Sequence, residues 1–138
     1  MIDFEKARAF FLSTDHFAAE ALGAEIDAIG EGTAQISVEI KPIHTRIDNA
    51  VMGGVFFTLA DFAFAVATND ETTRVVSLSN TINFHRQPKG KRLIANASVD
   101  SRGKTIITCT VRVTDETGAL LATMIATGYQ LKSNINKI

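Results

Sequence analysis

Asp61 sits at the centre of an almost wholly apolar run, VMGGVFFTLADFAFAVATN, residues 51–69. If that run is helical, the neighbours of Asp61 at three and four residues are Phe57, Thr58, Phe64 and Ala65. A carboxylate in such company is costly unless it is paired, hydrogen-bonded or open to a cleft. Apolar surroundings also raise its pKa toward the range of a useful general base. Two readings follow: a reactive carboxylate, or one that caps a backbone group or pairs with an arginine. Gly53 and Gly54 open the same run. The N–H groups that start a helix have no intrahelical partner and bind anions or a developing oxyanion. Two glycines would let a ligand approach that backbone closely, or would relieve crowding against a sheet.

The two features constrain each other. Gly53 and Asp61 are eight residues apart, about 12 Å along a helix axis. A reacting carbonyl must sit about 3 Å from both its oxyanion donor and its attacking group. One helix cannot supply both, so shared chemistry on one carbonyl requires two chains and a site at their interface.

Other chemistry is sparse. There is no G-x-S-x-G, P-loop or G-x-G-x-x-G motif. The single cysteine, Cys109, shares a strand face with Ile107 and Val111 and reads as an inert core thiol. His16, His44 and His85 lie far apart with no ligand-like spacing, so no metal is expected. The net charge of −1 hides an asymmetry: residues 1–73 hold twelve acids and four bases, residues 74–138 three acids and ten bases. Arg86, Lys89, Lys91, Arg92, Arg102 and Lys104 crowd one window opposed only by Asp100. That window is a solvated turn region or a local anion site. Nucleic acid is a poor partner for it, because the whole chain is not basic and no aromatics interleave with the bases.

The elements that must position these groups read as follows. With 138 residues, 46% of them hydrophobic and 21% charged, the chain has the size and balance of one globular domain, 1–138. Helical spacing marks residues 2–13, and a helical turn over 15–23 ends at Gly23. Alternation predicts strands over 34–40, 76–84, 93–100, 107–114 and 119–131, with turns at 88–90, 101–103 and 115–118. The last strand is apolar on both faces (Leu120/Leu121, Met124/Ile125), which predicts that both are covered. The tail SNINKI is expected to fray. The run 51–69 is long enough to span a bilayer, but Asp61 at its centre and Asp70–Glu71 after it argue for burial in protein instead. The N-terminal segment has no continuous apolar stretch of the signal-peptide kind, so cytoplasm is the expected location. An antiparallel sheet wrapped over one apolar helix, an α+β fold, is the simplest packing.

The segment MGGVFFTLADFAFAVATN resembles the H-G-G-x-x-x-x-L-A-D-x-A-x-x-x-A-x-N helix of hotdog-fold acyl-CoA thioesterases. The branch it resembles most is the phenylacetic-acid-degradation type, related to one class of 4-hydroxybenzoyl-CoA thioesterases. NTINFHRQPKGKRLIANASVDSRGKT resembles that branch's strand, F-x-R-x-P turn and following strand, and the likeness spans residues 35–130. The resemblance implies that Asp61 is the catalytic carboxylate, as nucleophile or as general base. It implies that the Gly53–Gly54 N–H groups of a neighbouring chain polarise the thioester carbonyl. Acyl-CoA would be the substrate, with no metal or redox cofactor, in a homodimer or a dimer of dimers (a homotetramer). The basic window would hold the CoA phosphates, through Arg86, Lys89, Lys91, Arg102 and Lys104. Two positions depart from the pattern. Met52 replaces the histidine before Gly-Gly, and Arg46 falls where the family has an asparagine. Met52 has no hydrogen to donate; His44 and Asn49 are the polar residues of the same loop that could stand in. These departures motivate the alternative of an acyl-CoA-binding protein without turnover. Phe56, Phe57, Phe62 and Phe64 read as core first and as an apolar acyl pocket second.

Overall fold

The computed structural model describes residues 2–132. Helix α1 (Phe4–Thr14) begins where Asp3 accepts the Lys6 N–H, and a π-helical turn (Phe17–Leu22) ends at Gly23 in the left-handed region, φ +82°. Strands β1 (Glu25–Gly30) and β2 (Thr33–Glu39) follow, then α2 (Gly53–Thr68). Strands β3 (Thr73–Phe84), β4 (Arg92–Arg102), β5 (Ile106–Asp115) and β6 (Leu120–Lys132) complete one antiparallel sheet in the order β1-β2-β4-β5-β6-β3. The tail 133–138 lies outside the described residues.

The sheet curls over α2. Ten of the helix's sixteen residues are buried, among them Phe56, Leu59, Phe62, Phe64 and Val66. Each of these large side chains gains about 1.5–3 kcal/mol on burial, so packing supplies enough to carry one carboxylate on the helix. The opposing wall comes from alternate residues of the sheet: Ile36 and Val38, Leu93, Ala95 and Ala97, Cys109, Val111 and Val113, and Ala122, Met124 and Ala126. The helix-in-sheet packing and the bounds of α2 match the pattern read from the sequence.

Two details differ. Strand β1 has no counterpart in the sequence pattern. It is a six-residue edge with Glu25 and Asp27 exposed, and a bulge lies between Ile26 and Ala28. The bulge breaks the period of two on which strand recognition depends. The expected double covering of the last strand does not hold in the single chain. Leu121, Ala122, Met124 and Ala126 face the core, but Ile125, Tyr129 and Leu131 lie on the outer face and are exposed. The Leu121–Ala122 pair, both buried, follows a register shift beside Thr114, so a local irregularity imitates a two-faced apolar strand.

Candidate active site

Asp61 is half-buried on α2, in a stripe with Gly54, Phe57, Thr58 and Ala65 that the sheet leaves uncovered. Its burial raises its pKa above the usual carboxylate value, and the nearby Asp15 carboxylate pushes the same way. Among the described residues no side chain or backbone group bonds it and no cation pairs with it. The capping and ion-pair explanations of Asp61 therefore find no partner in the fold.

Gly53 lies at the other focus. Residues 44–52 form a short hairpin-like loop. Thr45 bridges Val51, the Arg46 N–H donates to the Ala50 carbonyl, and the Met52 N–H donates to the His44 carbonyl. Asn49 takes the left-handed conformation at its tip, φ +62°, which asparagine tolerates better than most residues. Gln87 clamps the loop from the sheet: its Oε1 accepts the Val51 N–H at 2.8 Å and its Nε2 donates to the Val51 carbonyl at 3.1 Å. So held, Met52 precedes α2 without capping it by its side chain. The start of the helix faces an open cleft of about 320 Å³ lined by Arg46, Val51, Gly53, Phe56, Phe84, His85, Arg86 and Gln87.

Neither conformation nor packing calls for both glycines. Gly53 and Gly54 have ordinary helical φ. A Cβ on Gly53 would stand 3.4 Å from the Phe84 ring, a tight contact, but one on Gly54 would meet only the movable methyl end of Met52. Crowding accounts for part of Gly53 and, because the Met52 methyl can move, for little of Gly54.

The remaining candidates separate into groups. Arg46 donates to Asp48 through Nε and Nη2 at 2.9 and 2.8 Å, and this pair holds the Arg46 guanidinium beside the cleft. Arg86 lines the same cleft, and among the described residues it has no carboxylate partner. Lys89 and Lys91 lie close by in sequence, on a turn fixed by buried Asp115, which accepts the Lys89 and Gly90 N–H groups at 2.8 and 3.0 Å. The Thr117 hydroxyl first, and then those backbone bonds, hold the Asp115 carboxyl well below the usual range. Arg102 and Lys104 are elsewhere. Arg102 ends β4 and Lys104 lies just beyond it, about 33 Å of extended chain from Arg92 at the strand's start. Arg102 there donates to Gln130 at 2.6 Å. The basic window, continuous in sequence, is divided between two ends of the sheet, so within one chain it cannot form one anion site. Asn49 and Met52 are exposed and do not line the cleft.

His44 does not stand in for the missing histidine. Its ring is buried, with Nδ1 accepting the Lys41 N–H at 2.9 Å and Nε2 donating to the Leu22 carbonyl at 2.8 Å. Cys109 is buried and its thiol is pushed up to about 11 by burial, consistent with a core role. Phe56, Phe62 and Phe64 are core, and only Phe56 also reaches the cleft. His85 and Gln87 carry no functional signal in the sequence. His85 reaches Thr123, 38 positions away, and Gln87 reaches Val51, 36 positions away, and no local spacing records that.

This geometry can be set beside known proteins. A family model described as the thioesterase superfamily matches residues 48–122, which carry both Gly53 and Asp61. The chain belongs to the thioesterase superfamily. A putative esterase of Archaeoglobus fulgidus is 28% identical over 116 residues, covering 83% of this chain and 75% of that protein. The acyl-coenzyme A thioesterase PaaI of Escherichia coli is 36% identical over 87 residues, 62% of each chain. The solved structure of the Escherichia coli PaaI protein from the phenylacetic acid degradation operon superposes with a TM-score of 0.84 at 26% identity, covering 94% of this chain and 96% of that one. The fold is the α+β hotdog fold, and this member of the thioesterase superfamily is a thioester hydrolase of the PaaI type. Among the described residues no helix is long and apolar enough to cross a membrane.

Proposed function

We propose that the substrate is an acyl-CoA and that the complete site forms between two copies of the chain. Gly53 and Gly54 of one copy would present N–H groups to the thioester oxygen, and Asp61 of the other would attack the carbonyl carbon directly or through water. One observation carries this reading. The helix start at Gly53 opens on a cleft, Asp61 is unpaired among the described residues, and the two stand eight residues apart on one helix, too far to meet one carbonyl within a single chain. The raised pKa of Asp61 suits a group that must take up a proton near neutral pH.

The two edges of the sheet support the pairing. Edge β1 is short, bulged and acidic, devices that discourage further strand pairing. Edge β3 is twelve residues long, with Val76 and Leu78 exposed on it. Two β3 strands joined antiparallel would continue the sheet and set the two α2 helices in opposite directions. Such pairing also places the Arg102–Lys104 end of one copy on the side of the Arg86 end of the other, which would reunite the divided bases for the CoA phosphates. A dimer of dimers through the outer faces of the sheets, and a cytoplasmic location, belong to the same proposal.

The test is thiol release from short, long and aromatic acyl-CoAs by wild type and Asp61→Asn. Loss of at least about 100-fold in kcat with ester binding kept is expected. For wild type, kcat/KM should fall as pH drops through the raised pKa of Asp61, because only the ionised carboxylate accepts a proton; the acid limb should therefore lie above the ordinary 3.8.

A further inference from the structure

Among the described residues one buried side-chain polar atom lacks a hydrogen-bond partner: Oδ1 of Asn80, on β3. Folded proteins leave few such atoms, since an unmade buried hydrogen bond costs free energy. The amide is oriented by its other end, where Nδ2 donates to the Ser77 hydroxyl at 3.5 Å.

The register shows which way Asn80 faces. It opposes Ala126, as Ile82 opposes Met124 and Phe84 opposes Ala122, and all three partners are fully buried under α2. The helix runs antiparallel beside this strand. Its start packs on Phe84, and at its end Asn69 Oδ1 accepts the Val75 N–H at 2.9 Å. Four residues back from Phe84 to Asn80 is about 13 Å of strand. Eight residues on from Gly53 to Asp61 is about 12 Å of helix. Asn80 and Asp61 therefore lie at one level of the molecule.

The Asn80 oxygen and an ionised Asp61 both accept, so that oxygen cannot bond Asp61 directly while Nδ2 is turned to Ser77. A water molecule donates two hydrogens and satisfies both. We infer that Asn80 is a positioning residue that holds the hydrolytic water against Asp61. This rests on the reading of Asp61 as the hydrolytic carboxylate, and it selects the general-base form of that reading. One water hydrogen goes to Asp61 while Asn80 Oδ1 holds the other. The water oxygen pair forms the new C–O bond and the carbonyl π pair moves onto its oxygen. Collapse restores the C=O bond and breaks the C–S bond, and the departing thiolate takes the proton from Asp61. The products are the free acid and the thiol.

The test compares Asn80→Val with Asn80→Thr, near-isosteric β-formers of which only threonine keeps an acceptor oxygen. The readouts are kcat and KM for acyl-CoA hydrolysis, thermal stability, and native mass. Asn80→Val should lower kcat by at least about tenfold with KM nearly unchanged. It should melt no lower than wild type, because an unpartnered oxygen has been removed, and Asn80→Thr should recover part of the lost kcat. Unchanged kcat in Asn80→Val, a threonine variant no better than valine, or a fall in native mass would each overturn the inference, the last by making Asn80 an interface group. Asp61→Asn assayed alongside separates the two levels. If it is inactive while Asn80→Val is unimpaired, only the role of Asn80 fails; if it turns over like wild type, the hydrolytic reading fails with it.

Discussion

The two ends of α2 are finished in opposite ways. At the C-terminal end the polar groups are matched: the Thr68 hydroxyl donates to the Phe64 carbonyl and Asn69 Nδ2 to the Ala65 carbonyl, both at 2.8 Å, while Asn69 Oδ1 takes the Val75 N–H. At the N-terminal end Met52 offers no cap, and the first turn faces an open cleft with Arg46 and Arg86 on its walls. A helix end left unfinished forgoes roughly 1 kcal/mol that a serine or aspartate cap would supply. The same fold matches the polar groups at one end and leaves the other open to a cleft, with both ends packed against β3. On the reading proposed above, the open end is the one that takes the ligand.

Substitutions can break that contrast from either side. The largest effect is expected from Gly53→Pro. Proline fits the first helical position, so the variant deletes one N–H while leaving the helix intact. Loss of an oxyanion donor should lower kcat by about 100- to 1,000-fold, measured with a thermal melt to show that the fold survives. Full activity in a folded Gly53→Pro protein would return this end to a merely structural role. Arg86→Ala should act next, raising KM for acyl-CoA by about tenfold, the scale of one lost charge-assisted hydrogen bond. High salt should mimic the change in wild type, and Lys104→Ala should do less. Asn69→Ala sharpens the contrast from the structural side. It should cost about 1–2 kcal/mol in denaturant unfolding and leave kcat within about twofold.

What the sequence displayed and what it hid follow from the range of each interaction. Helix α2 is legible because its apolar character is local and continuous, and Asp61 stands out against it for the same reason. The Gly53–Asp61 spacing is a helical length, so their incompatibility within one site is legible from the spacing alone. Strand β1 is hidden by its bulge and its exposed acids. The basic window misleads, because proximity along an extended strand is distance in space: Lys91 just precedes β4 and Arg102 ends it. The cleft itself is hidden, since His85 and Gln87 reach it through contacts with distant segments. Asn80 carries no signal, because its peculiarity is an unmade bond. Met52 and Arg46 are visible as departures, but only the fold shows that Arg46 is aimed by Asp48 beside Gly53 and that His44 is spent on Lys41 and Leu22.

The central claim is that Gly53 and Asp61 act on one thioester from different chains. Mixing two inactive proteins, Gly53→Pro and Asp61→Asn, tests it most directly after unfolding and joint refolding. Each mixed dimer would hold one site with both groups intact and one with neither. Random pairing then predicts recovery of about one quarter of wild-type thiol release. A mixture as inactive as its two components, with mixed dimers shown to have formed, would place both groups in the same chain and contradict the account.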